Sequence, residues 1–210
     1  LDLSISFRCP RAIVEAVHWR VPHFKWMKDG GHYVRLQALP LLSIPEGSAV
    51  LCRNNAPLFR LAFALLSNGR GVSVAGSEIG PRLIRLLQKL GDERDNSEAL
   101  CAKIDAWANK LLEKANAPAT IYDQAECMKV FATQGKNLAQ AVAYAEHLFK
   151  AQGPIKLSTG HKAKGLEWDT VFVLDEWLCD KTDQDLNLKY VMTTRARQNL
   201  YLIDSTDIQW

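Results

Sequence analysis

The chain has 210 residues, 48% of them hydrophobic and 23% charged, with a net charge of +3 at pH 7. That length and balance suit one sizeable α/β domain or two small ones, and no apolar run approaches the ~20 residues of a bilayer-spanning helix, which argues against a transmembrane protein. Five cysteines, odd in number and without a C-x-x-C pair, exclude a disulfide scaffold and a zinc site and suit a reducing compartment, cytoplasmic, nucleoid or nuclear. The charge is uneven. Residues 1–90 carry 12 Lys/Arg against 5 Asp/Glu, and residues 91–210 carry 14 against 18. A basic half suits a polyanionic partner, and a solvated surface accounts for it equally well. The chain begins at Leu1 without a charged n-region or an apolar h-region, so it is read as lacking a secretory signal and as a piece of a longer protein.

In chain order, Leu1–Phe7 alternates as a short strand does, and Pro10 opens a helix whose stripe is Ile13, Val14 and Val17. An aromatic, glycine-rich loop covers Val21–His32, followed by a strand over Tyr33–Leu39. Ser48–Cys52 reads as a buried strand. Asn55 is a candidate cap for a helix over Pro57–Leu66 that stops at Asn68-Gly69, and Val72–Ala75 is the next strand. This strand–helix–strand order predicts a parallel α/β sheet. After Gly76 the period changes. Apolar residues recur at helical spacing through Leu83, Leu87, Leu100, Ile104 and Leu111, then over Tyr122–Thr133 and Leu138–Ala151, with loops at Asp92–Asn96 and Ala117-Pro118. Strands resume at Ile155–Ser158 and Thr170–Leu174, a helix follows over Asp185–Ala196, and Leu200–Ile203 closes the sheet. The organisation predicted is residues 1–80 and 152–210 building one sheet domain, interrupted by a small all-helical insertion over 81–151.

The chemistry concentrates in Ser158-Thr-Gly-His-Lys-Ala-Lys-Gly-Leu-Glu-Trp168, between two predicted strands, where α/β sheets place ligands. Gly160-x-x-x-x-Gly165 is not a phosphate loop, because Leu166-Glu167 occupies the Lys-Ser/Thr positions; no such loop occurs elsewhere. Tyr190-Val-Met-Thr-Thr-Arg-Ala-Arg197 places Arg195 at a helix end. Ser6-Phe-Arg-Cys-Pro10 places Arg8 on a strand-to-helix turn, where a planar cation can meet phosphate or serve as an ordinary surface ion-pair partner. Phe24-Lys-Trp-Met-Lys28 mixes aromatics with lysines, either as a stacking platform or as a loop anchored by Trp26. Asp175-Glu176 follows a strand and is read as a loop start.

Taken in this order, the segments resemble the C-terminal half of UvrD/Rep-like superfamily 1 DNA helicases, including the F-box DNA helicase branch. Leu1–Pro10 is similar to the family's N-Y-R-S/C motif, and Ala49–Asn55 to its A-V-L-x-R-T-N strand. Thr159–Trp168 is similar to T-x-H-x-A-K-G-L-E-F, and Asn187–Arg197 to N-L-x-Y-V-A-x-T-R-A-K. The resemblance covers the chain outside the helical insertion and implies a RecA-like parallel sheet flanked by helices, the second motor domain of an ATP-dependent helicase or translocase working 3′ to 5′. It implies Arg8 and Arg195 as the arginines turned towards the γ-phosphate, Glu167 at the ribose with Gly165 allowing close approach, and Thr159 and His161 on single-stranded DNA. Lys162, Lys164 and Arg53 are candidates for the same strand, each with a structural or solvated alternative. Thr194 is expected to orient Arg195. ATP and Mg²⁺ are the implied cofactors, with the phosphate loop and metal ligands in a first motor domain upstream, and the isolated chain is expected to be inactive.

Four departures stand out. Gly160 stands where the family often has an apolar residue, Trp168 where Phe is usual and Thr193 where Ala, Gly, Ile or Val is commoner, and an insertion of about 70 residues stands where large family members carry a whole domain. Two alternatives remain: a non-hydrolysing module that binds single-stranded nucleic acid or a repair partner, and the motor part of a helicase–nuclease.

Overall fold

The computed structural model describes residues 4–75, 78–113 and 118–210. In chain order the elements are β1 (Ile5–Ser6), α1 (Arg11–Glu15), β2 (Lys25–Trp26), β3 (His32–Arg35), β4 (Leu39–Pro40), β5 (Ala49–Cys52), α2 (Asn55–Ser67) and β6 (Val72–Val74). Then come four helices, α3 (Ile79–Leu90), α4 (Ser97–Leu112), α5 (Pro118–Gln134) and α6 (Leu138–Lys150). The chain finishes with β7 (Ile155–Thr159), β8 (Trp168–Leu174), α7 (Asp183–Thr193), β9 (Ala196–Ile203) and β10 (Ile208–Gln209). Among the described residues six strands form one parallel sheet in the order β3-β9-β8-β5-β7-β6, while β1 pairs only with β2 and β10 only with β4. This is a mixed α/β arrangement, a central parallel sheet flanked by helices, consistent with the RecA-like fold that the motifs lead one to expect.

The strands alternate between two cores because successive side chains face opposite sides. Val50, Cys52, Phe172 and Leu174 join the larger core with α2 and the four consecutive helices. Ala49, Leu51, Val171 and Val173 join the smaller one with α1, α7 and Ala163. In the larger core, Phe59 of α2 stacks on Phe131 of α5 at 5.5 Å and meets Phe149 of α6 edge-on at 5.3 Å.

Several expectations need correction. The strand expected over Leu1–Phe7 is reduced to Ile5–Ser6 and stays outside the main sheet; Leu1–Leu3 lie outside the described residues. Tyr33–Leu39 is not one strand but β3, which pairs with β9 in the main sheet, and β4, which pairs with β10 in a separate ladder. Pro118 opens α5 instead of lying in a loop, since its fixed φ suits a first helical position; Ala117 lies outside the described residues. Asn55 is not the cap of α2. It is already helical, and its backbone N–H donates to Asp123 of α5 at 2.9 Å, with Ala56 N–H donating to the same oxygen at 3.2 Å. The last helix starts at Asp183, capped by Thr182, and ends before Arg195, so Ala196 opens β9.

Candidate nucleotide and nucleic-acid site

The register fixes where the candidate residues lie. Cys52 is level with Thr159 on one side and with Leu174 on the other, so Arg53 and His161 share the carboxyl edge of the sheet. Trp168 is level with Ala196, so Glu167 and Arg195 share the amino edge. The segment 160–167 therefore does not form a single loop at a strand end, as its sequence suggests. It runs from the carboxyl end of β7 to the amino end of β8, the length of a strand, about 20 Å at ~3.3 Å per residue. Its two ends serve two different clusters.

The crossing is held down in the middle. Ala163 is fully buried in the smaller core. Gly160 lies so close to α7 that a Cβ there would sit 2.7 Å from Met192 Cγ and 2.9 Å from Leu188 Cδ1, which explains glycine where an apolar side chain is expected. Gly165 has φ +83°, a left-handed conformation that glycine adopts without strain. Its place in the crossing is thus set by backbone geometry.

At the carboxyl edge, Arg53 Nε donates to Asp185 Oδ1 at 2.6 Å. Asp185 is nearly buried and also accepts from Thr182 Oγ1 at 2.8 Å, which fixes the Arg53 guanidinium. His161 is exposed beside this pair, and its imidazole is held below the ordinary histidine range by partial burial, then by the cations of Arg53 and Lys164, with Asp185 opposing. Lys162 pairs with Glu78 at the start of α3, whereas Lys164 is exposed and has no ion-pair partner among the described residues. Thr159 is 6% exposed, and its carbonyl accepts from the N–H groups of Lys162 and Ala163, both at 3.0 Å. The structure thus brings Arg53, His161 and Lys164 together and leaves Thr159 behind them, shaping the turn.

At the amino edge, Arg8 Nε lies 2.5 Å from Glu167 Oε2. The thiol of Cys9, pushed up by burial, donates to the carbonyl of Thr194 at 3.5 Å and so ties the turn of Arg8 to that of Arg195. Arg195 is held by neutral oxygens: Nε donates to Val191 O at 2.9 Å, Nη1 to Leu166 O at 3.2 Å and Nη2 to Thr194 Oγ1 at 3.2 Å. Thr194 in turn donates to Tyr190 O at 3.0 Å, so it orients Arg195 as expected. Burial and then the like charge of Arg8 push the Arg195 guanidinium down, although it stays a cation at neutral pH. No carboxylate pairs with it among the described residues. An oriented cation without a counter-ion is suited to an incoming anion.

Sequence reading missed the partners. Asp185 lies in a Thr182-x-x-Asp185 capping pattern, a signal that could have been found. Glu78, Asp123 and the pairing of Arg197 with Glu167 and Asp169 had no local signal, because each joins distant segments. Trp26 packs against the smaller core, in accord with an anchored loop. Asp175, with φ 51°, precedes a 3-10 turn over Glu176–Cys179, in accord with a loop start. Among the described residues no group of three or more His, Cys, Asp or Glu could hold a metal ion, and no helix is long and apolar enough to cross a membrane. All five cysteines are free.

One family comparison covers the two motifs at residues 159–168 and 187–197. The family model of the UvrD-like helicase C-terminal domain matches residues 154–203, the stretch that contains His161, Glu167, Arg195 and Arg197. Among solved structures, the C-terminal domain of a possible DNA helicase from Lactobacillus plantarum WCFS1 aligns over 95% of this chain and 87% of its own, at 14% identity and a TM-score of 0.45. No curated protein matches the chain.

Proposed function

We propose, from the similarity of residues 154–203 to UvrD-like helicase C-terminal domains, that the chain is the second motor domain of an ATP-dependent DNA helicase or translocase of superfamily 1, working 3′ to 5′. The observation that carries this reading is the meeting of Arg8, Glu167 and Arg195 at one sheet edge, from the two ends of the chain. Arg195, oriented and without a carboxylate partner among the described residues, would meet charge spreading over the transferred phosphoryl oxygens, with Arg8 as the second cation. Glu167 would accept from the ribose hydroxyls.

The donor set fits a polyphosphate tail and not a metal, so Mg²⁺ and the phosphate loop would come from a first motor domain. Bound ATP–Mg²⁺ would supply the phosphoryl group and its activation, and this chain's contribution is charge and position. At the opposite edge, Arg53, His161 and Lys164 would meet the phosphates of single-stranded DNA, positioned by the turn that Thr159 begins, with Lys162 held by Glu78 beside them. Separation of the two clusters by one strand length would let the crossing 160–167 connect the nucleotide to the strand. Helices α3–α6 would be an insertion into this domain, packed on α2 through Phe59, Phe131 and Phe149.

The test is single-strand-stimulated ATP hydrolysis by the intact gene product, alongside Arg195→Ala. The expected loss is on the order of 10³-fold or more in turnover, as for other arginine fingers. A protein that binds strands and hydrolyses nothing would instead be a nucleic-acid-binding module.

A further inference from the structure

The two arginines at the amino edge differ in one respect. Among the described residues Arg195 is bound only by neutral oxygens, whereas Arg8 is paired with Glu167 through Oε2. The other oxygen of Glu167, Oε1, faces Arg197 Nη1 at 3.4 Å. Arg197 is itself anchored, with Nε and Nη2 both 2.9 Å from Asp169 Oδ1. Glu167 is therefore clamped between two guanidiniums. One belongs to a short turn, and the other stands on β9 with its own carboxylate behind it.

We propose that Arg197 is a positioning residue: it holds Glu167 and so lets Arg8 exchange that carboxylate for a polyphosphate. The proposal rests on the nucleotide reading given above. An incoming polyphosphate must compete with Glu167 for Arg8. A carboxylate shared between two cations binds each less tightly than it would bind one alone, and a carboxylate that keeps one partner does not become an unpaired charge when the other leaves. With Arg197 in place, Arg8 departs and Glu167 stays paired. Without Arg197, Arg8 is the only counter-ion of Glu167, and the latch tightens. Arg8, Glu167 and Arg197 are all about two-fifths exposed, so these pairs contribute little to folding, and their exchange is compatible with an intact fold.

The experiment is a double-mutant cycle with two readouts. The first is the dissociation constant of inorganic triphosphate for this protein, by calorimetry at fixed ionic strength, in wild type, Arg197→Ala, Glu167→Gln and the double variant. Arg197→Ala is expected to weaken binding roughly tenfold in the wild-type background and to have little effect once Glu167 is neutral, since coupled neighbours are not additive. Glu167→Gln alone strengthens binding, and Arg197→Lys restores most of the loss. Equal weakening by Arg197→Ala in both backgrounds would mean that Arg197 meets the anion directly and would overturn the proposal, as would no weakening at all. The second readout is ATP turnover by the intact gene product, where Arg197→Ala should lower kcat and leave the KM for single strands unchanged. Absence of turnover in the wild type counts against the motor reading. Turnover that is insensitive to Arg197→Ala counts against the latch alone.

Discussion

His161 illustrates how one side chain's surroundings set its chemistry. Partial burial and the cations of Arg53 and Lys164 hold its imidazole below the ordinary histidine value, so the folded chain resists a proton that the unfolded chain accepts. The unfolded state therefore binds more protons as pH falls through about 6.5, and the stability His161 allows above that pH is lost below it. Denaturant midpoints of wild type and His161→Gln between about pH 7.5 and 5.5 check this. The wild type should lose more stability over that interval, and an equal loss would place the titrating group elsewhere. Arg195 follows a different logic. Its charge does not titrate in this range, so its contribution lies in orientation by Val191, Leu166 and Thr194.

The helix α2 is capped from a distance. Its own Asn54 makes no side-chain cap bond, and Asp123 of α5 accepts from the N–H groups of Asn55 and Ala56 instead. A carboxylate at that helix end also complements the macrodipole. Asp123→Ala should destabilise the protein by about 1–2 kcal/mol and Asn54→Ala by much less, read as urea midpoints. The reverse order would return the cap to the local sequence. The crossing 160–167 is the second element of interest. It contains no regular structure, yet Ala163 buried in the smaller core and Gly160 against Met192 give it a single course across the sheet.

Across the whole molecule, the larger core runs without a break from the sheet through α2 into the four consecutive helices. Phe131 is fully buried and contacts the rings of Phe59, Phe63 and Phe149. Phe131→Ala should cost about 3–5 kcal/mol and lower one cooperative transition shared by all spectroscopic probes. Two separated transitions would mean that the helical part folds on its own. The charge asymmetry read from composition did not identify a surface by itself, because some of the basic residues in the first half are paired across the fold, as Arg53 is with Asp185, Arg20 with Asp183 and Arg35 with Glu176.

Sequence alone determined the strand–helix alternation and the helical stretch between β6 and β7, and it singled out the segments around Arg8, His161, Glu167 and Arg195 as candidates. Those features are local: periodicity, caps and motif spacing involve residues within a few turns of one another. Tertiary structure decided which residues meet. It shortened the first strand, divided the run after His32 and moved the cap of α2 to Asp123. It also placed Thr159 beneath its turn, and it split one contiguous motif between opposite edges of the sheet. The clamp of Arg8, Glu167, Arg197 and Asp169 belongs to the same class. Parallel pairing is the physical reason: strands distant in sequence are set side by side, and their register, not their spacing along the chain, determines which charges fall within reach of one another.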